Sequence, residues 1–199
     1  MAPRECKGPR LFVEGLCQRG VPHLGSTLSL SPDDTHYFRD VLRLPVGALV
    51  EIADPATGDS FAATISSLTD LMTVTLTEKL DATTSEIEIT LLCALCKGQK
   101  NELICDWATE LGCSRIIFWQ AERSIVRLRG DDDATAKTTK FSNAALAAAQ
   151  QSRQVKPPQV HVALSLSKAL DLIPPSTTLK AICSLEANAP ALSALAKDL

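Results

Sequence analysis

The sequence offers little from which a familiar catalytic motif could be assembled. It holds nine glycines in 199 residues. None falls in a G-x-G-x-x-G run after a strand or in a G-x-x-x-x-G-K-[ST] loop, so neither a dinucleotide fold nor a P-loop is expected. The three histidines, His23, His36 and His161, are far apart, and no G-x-S-x-G elbow accompanies them. No apolar run approaches the roughly eighteen residues of a membrane helix, and residues 1–8 lack the apolar stretch of a secretory leader. The expectation is a cytoplasmic protein without membrane contact.

Cysteine is present, but not in a pattern that binds metal or makes a disulfide framework. Seven scattered residues, an odd number, fit reduced thiols. Cys93-Ala-Leu-Cys96 lies in an apolar segment that reads as a strand, where residues three apart point to opposite faces roughly 10 Å apart along the chain. No second Cys or His pair follows at ligand spacing, so no metal is expected. A general excess of positive charge is also missing, since the net charge is −3. Residues 1–86 hold 7 Lys and Arg against 12 Asp and Glu, and residues 87–199 hold 13 against 11. Any nucleic-acid contact must therefore use local basic patches.

What is present divides the chain in two. Up to about residue 80 the pattern is of short strands, over 11–13, 48–53, 60–65 and 72–77, separated by turn signals, which together suggest a small barrel. Ser31-Pro-Asp-Asp34 predicts a helix start, with the helix running to about Arg43 and the pairs Tyr37/Val41 and Phe38/Leu42 on an apolar side. A polar link, residues 81–86, ends this pattern. Beyond it strands and helices alternate: strands over 87–95, 115–119, 159–163 and 178–184, with helices over 99–111, 136–154 and 167–172. That alternation predicts an α/β unit with a mainly parallel sheet. Asp131-Asp-Asp133 is expected to be a loop leading into the Ala-rich helix, and that helix should pack closely along Ala144 to Ala149.

Two basic clusters are the candidate binding residues. Arg39 and Arg43 are four apart, on one face of the predicted helix. Lys97 and Lys100 follow the first strand of the α/β unit, and Arg123, Arg127 and Arg129 follow the second. In a parallel sheet ligands sit beyond the carboxyl ends of the strands, where such cations suit phosphates; the alternative is that they are solvated surface charges. Glu102, Asp106 and Glu110 share a helix face that should meet water or nearby Arg and not RNA.

The order and spacing of several motifs resemble the RsmE family of small-subunit ribosomal RNA (uracil-N3)-methyltransferases. In the first half these are Pro9-Arg-Leu-Phe-Val13 and Phe38-Arg-Asp-Val-Leu-Arg-Leu44 followed by Gly47. In the second they are Lys97-Gly-Gln-Lys-Asn-Glu-Leu-Ile104, Ala108-Thr-Glu-Leu-Gly112, Glu122-Arg-Ser-Ile-Val126 and Ala148-Ala-Gln-Gln-Ser-Arg153. The resemblance implies a PUA-like RNA-binding β-barrel at 9–82 and a SPOUT-type α/β domain at 87–199. It further implies S-adenosylmethionine as methyl donor, 16S rRNA or the small ribosomal subunit as partner, and a homodimer. Arg123 and Arg153 become the cationic candidates for substrate, Glu110 and Glu122 the carboxylates that orient arginines, and no catalytic base stands out. This chain has Asp106-Trp107 where the family has Gln-Lys, Gln150 where it has Glu, and Tyr37 where a His is common. The family's Gly-Pro-Glu-Gly-Gly loop and Leu-Arg-x-Glu-Thr-Ala segment, which form the knot and the donor pocket, are expected after Leu199. The chain is then read as a C-terminally incomplete SPOUT domain, inactive by itself, or as a non-catalytic RNA-binding protein that keeps the barrel and part of the sheet.

Overall fold

Alternating apolar residues build the first sheet. The computed structural model describes residues 6, 8–18, 22–81, 87–177, 179–184, 186 and 188–195; the expected polar link falls largely on 82–86, outside the described residues. Strands β1 (Arg10–Phe12), β2 (Thr27–Ser29), β3 (Leu49–Ala53), β4 (Ser60–Leu68) and β5 (Met72–Leu80) form one sheet in the order β1-β3-β4-β5-β2. β1 runs parallel to β3, the other neighbours are antiparallel, and β4 carries register shifts at Ala62/Ala63 and Ile65/Ser67. Such bulges bend a strand and increase its twist. One face buries Leu11, Val50, Ile52, Phe61, Ala63, Ile65, Val74 and Leu76 together with Phe38. Strand β2 escaped the sequence reading. Its three residues expose Thr27 and Ser29, and it exists because the edge of β5 pairs with it.

The expected helix to Arg43 is shorter and ends differently. Ser31 caps α1 (Pro32–His36), its hydroxyl accepting the N–H of Asp34 at 3.1 Å. The chain then widens into one π turn, Tyr37–Val41, closed by the Leu42 N–H on the Tyr37 carbonyl at 2.9 Å. Arg43 follows with φ 53°, and the Leu44 N–H returns to the Phe38 carbonyl, a left-handed termination. Arg39 and Arg43 therefore do not share a face of one regular helix. Only Phe38 of the expected apolar side is buried, while Tyr37, Val41 and Leu42 are exposed.

The second unit is a three-stranded parallel sheet, β6 (Thr90–Ala94), β7 (Arg115–Trp119) and β8 (Gln159–Ala163), in that order. The helices are α2 (Lys100–Glu110), α3 (Asp131–Ser152), α4 (Leu166–Leu170) and α5 (Leu192–Leu195). The core joins Cys105 and Ala108 of α2, Ile116 and Phe118 of β7, and Phe141 and Ala145 of α3. The expected close packing of the alanines holds, since Ala145, Ala148 and Ala149 are buried. Two expectations fail. Asp131 to Asp133 form the first turn of α3, not a loop, because three carboxylates suit the positive end of a helix. Among the described residues of 178–184 no strand forms; Ile182 is 94% exposed. β8 pairs with β7 alone among the described strands, and an apolar alternation without a neighbour to bond remains irregular. No helix among the described residues is long and apolar enough to cross a membrane.

The units meet where β3 is buried on both faces. Val50 and Ile52 point into the first core, whereas Phe12 and Ala53 pack against Ala149 and Leu146 of α3. Glu51 shares that outer face and pairs with Arg10 across the β1–β3 register and with Arg153 at 3.0 Å. Gly58, at φ 81°, lies so near α3's end that a Cβ there would come within 2.8 Å of the Val155 and Lys156 side chains.

Candidate functional site at the carboxyl edge of the parallel sheet

Because β6, β7 and β8 run parallel, their carboxyl ends, Ala94, Trp119 and Ala163, form one edge. Backbone bonds extend that edge by a residue: Leu95 N–H to the Trp119 carbonyl at 2.9 Å, and Gln120 N–H to that of Ala163 at 3.1 Å. The turn leaving β6 is fixed by Asn101, whose carboxamide accepts the Cys96 N–H and donates to the Cys96 carbonyl, both at 2.8 Å. The loop leaving β7 is tied to it by Ser124, whose hydroxyl donates to the Leu95 carbonyl at 3.2 Å and accepts the Ala121 N–H. Gln120 closes the loop by accepting the Leu128 N–H at 2.5 Å.

The two segments that leave this braced edge carry Lys97, Lys100, Arg123 and Arg127, all exposed. Arg127 donates to the Glu122 backbone carbonyl at 2.8 Å, so Glu122 orients an arginine through its main chain. Lys97, Lys100 and Arg123 make no ion pair with a described residue. Glu110 is exposed, and its backbone carbonyl accepts from Gln154. Within the acidic stripe Glu102 pairs with Lys140 of α3, a lysine and not an arginine. That bond, foremost, holds its carboxyl below the ordinary 4.5 despite partial burial.

The remaining candidates lie elsewhere. Arg39 is on the π turn, paired with Asp40 at 3.1 Å, and Asp40 also meets His36 at 2.8 Å. Arg39's bond to Asp40 raises its pKa and lowers that of Asp40. Arg43 is exposed two residues beyond that turn. Arg153 caps α3 in left-handed geometry and donates to the Cys6 and Gly8 carbonyls at 2.5 and 2.7 Å as well as to Glu51. Its partners all belong to the first unit, and it is not on the sheet edge. All seven cysteines are free thiols; burial, before its acidic neighbours, pushes Cys105 up to about 12, which suits an inert core thiol.

The bracing residues Asn101, Ser124 and Gln120 were not singled out from the sequence. Asn101 alone left a signal, since Asn in a helix's first turn tends to bond nearby backbone instead of propagating the helix.

A family model described as an RNA methyltransferase domain matches residues 83–198. Among solved structures, the chain is similar to a ribosomal RNA small subunit methyltransferase E from Neisseria gonorrhoeae bound to S-adenosyl methionine, at 23% identity and TM-score 0.71, covering 84% of this chain and 67% of that one. It is similar to a methyltransferase from Legionella pneumophila in complex with SAM, at 21% identity and TM-score 0.72, with the same coverage. A hypothetical protein aligns at 26% identity and TM-score 0.71, covering 82% of this chain and 66% of that one. The alignments thus span about two thirds of the length of these structures. Among curated proteins none matches the chain significantly.

Proposed function

We propose a function from one premise: the chain belongs to the family of RNA methyltransferase domains. It serves S-adenosylmethionine-dependent methylation of uridine N3 in 16S rRNA of the small ribosomal subunit. The observation that carries this reading is the cluster of Lys97, Lys100, Arg123 and Arg127 on the carboxyl edge of the parallel sheet, inside the matched segment.

Uracil N3–H is a weak acid, so its reaction requires loss of that proton and benefits from cations near the developing anion. The base must also leave its stack. Exposed cations on a braced edge hold RNA phosphates at a fixed distance from the sheet, and Arg123 is assigned the approach to the base. Arg39 and Arg43 extend the phosphate track on the first unit, for which a PUA-like role is proposed. Arg153 acts by holding the two units together, and the carboxylates of Glu110 and Glu122 are left solvated.

The cleft beside the sheet edge does not fit the donor. It measures about 170 Å³, below the roughly 300–1,000 Å³ of pockets that bury a small-molecule ligand. Donor binding, and the knot that would frame it, are assigned to the part of the relatives' length that this chain does not span, and the 199-residue chain alone is expected to be inactive. A homodimer in the cytoplasm accompanies this reading. The exposed Leu103 and Trp107 of α2 and Leu111 at its C-cap offer an apolar face of the kind a partner covers.

The 199-residue protein should bind 16S rRNA with an affinity that falls steeply with salt. Substituting Lys97, Lys100 and Arg123 together by Ala should lower the logarithmic salt slope by roughly two to three units, and Arg39 with Arg43 by one to two. A form extended to its relatives' length should transfer methyl from labelled donor and create a stop to primer extension at one uridine. RNA binding whose salt slope ignores both sets of substitutions would return these residues to solvated charge and remove the proposal.

A further inference from the structure

The Cys93-Ala-Leu-Cys96 motif has no part in the reading above, and its geometry is not that of a strand throughout. β6 ends at Ala94, and the chain turns beyond it. Neighbouring strand residues point to opposite faces, yet Leu95 and Cys96 line the same cleft. The turn brings the two sulfurs near each other. Each thiol donates to the Ala94 carbonyl oxygen at 3.6 Å, so the sulfurs lie no farther apart than twice that distance. The separation expected for a fully extended segment is therefore not reached. The two thiols also differ in access. Cys96 borders the cleft, whereas Cys93 packs against the core of the second unit. Burial, before the nearness of Cys96, pushes the Cys93 thiol above its ordinary 9.0. Cys96 is thus the sulfur that meets a reagent first.

We propose that Cys96 and Cys93 form a site of reversible oxidation that exchanges with small-molecule disulfides, and that its closure loosens the sheet edge. The Cys96 thiolate attacks one sulfur of the small-molecule disulfide; that S–S bond breaks, a mixed disulfide forms on Cys96, and one thiolate leaves. The Cys93 thiolate then attacks the Cys96 Sγ and expels the second thiolate. The two cysteines are oxidised, the small molecule is reduced to two thiols, and the two cysteine protons end on them. A sulfur–sulfur bond is about 2 Å long. Cys93 is held in β6 by its register with Phe118, so the approach falls to Cys96. Two side chains hold that segment back. Asn101 bonds both the N–H and the carbonyl of Cys96 at 2.8 Å, and the Ser124 hydroxyl bonds the Leu95 carbonyl at 3.2 Å. Closure gives up part of this bracing, and Lys97, Lys100 and Arg123 belong to the segments it fixes. Resting on the RNA methyltransferase reading, the oxidised form therefore holds RNA less well than the reduced form. Under reducing conditions the pair is open, and a rise in oxidant closes it, the behaviour of a transient sensing disulfide.

The test uses the reduced 199-residue protein and oxidised glutathione. Trypsin releases residues 80–97 as one peptide, which carries Cys93 and Cys96 and no other cysteine. After exposure this peptide should lose two hydrogens and resist alkylation, and dithiothreitol should reverse both changes. In C93S the exchange should stop at a stable glutathione adduct on Cys96; in C96S, Cys93 should remain a free thiol. Oxidised parent should bind 16S rRNA with a logarithmic salt slope lower by roughly one to two units, the share of Lys97 and Lys100. The C93S/C96S double variant should keep the slope of the reduced parent under oxidant. A parent peptide that stays fully open to alkylation, or C93S protein without the adduct, overturns the site. A disulfide that leaves the salt slope unchanged overturns its link to the edge. Either result leaves the RNA reading standing. Reduced parent that binds no RNA overturns that reading and the link together, while the peptide still decides the thiol chemistry.

Discussion

Glu51 ties the first unit to the end of α3. It is 2% exposed and lies between the guanidinium groups of Arg10 and Arg153. Removing one partner from a buried charged network costs more than the network contributes, because the remaining charges stay out of water. Glu51→Ala should therefore lower stability by about 3–5 kcal/mol in urea unfolding; a loss below 1 kcal/mol would mean that solvent reaches the two arginines. Nothing in the strand pattern marked Glu51. A lone acid amid apolar residues reads as a solvent-facing position, and its face is covered only because α3 arrives from another unit. The role of Arg153 in joining the units was not legible for the same reason, since its carbonyl partners lie 145 residues or more away in sequence. Asp54 carries a second charge effect. Its carboxylate accepts the N–H groups of Cys17, Ala56 and Thr57 at 2.8, 2.8 and 3.1 Å. Burial, the largest single influence, raises its pKa, but the three amides together hold it below the ordinary 3.8. The stability it contributes is complete above that unfolded value and is lost as pH falls through the lower folded value. Asp54→Asn should flatten this acid limb, and melting temperatures between pH 5 and pH 2 would show it; an unchanged acid limb would place the effect on other carboxylates.

At the scale of elements, α3 bears the most strain-sensitive packing. Ala145 is fully buried among Phe141, Ala108 and Cys105, so a larger side chain there must push helices apart. Ala145→Leu should cost about 1–3 kcal/mol, and thermal unfolding at the parent temperature would contradict the close approach of α2 and α3. That packing was legible because the alanine run offers little reason to exist on a solvated face. The strands β3 to β8 were legible from alternation and turn chemistry, and α1 from its serine cap. Elements whose existence depends on a neighbour were not. β2 has too few apolar residues to announce itself, and 178–184 has enough to suggest a strand but no described partner. The start of α3 was hidden by Asp131 to Asp133, since consecutive acids suit both a loop and the positive end of a helix.

For the whole molecule, the junction of Phe12, Ala53, Ala149 and the Glu51 network should make the two units unfold together. A single calorimetric transition is expected for the parent chain and two for a Glu51→Ala, Arg153→Ala double variant; two transitions in the parent would show the junction to be weak. Proteolysis under native conditions should cut first between residues 81 and 87, and preferential cleavage within 100–125 would contradict the two-unit assignment. The same junction also bears on how the protein comes into being. Arg153 donates to carbonyls of residues 6 and 8, so the chain closes a loop of some 145 residues, and loop-closure entropy grows with that length. During synthesis Arg10 and Glu51 are made long before Arg153. The outer face of β3 can therefore be covered by α3 only once the chain has been made as far as that helix.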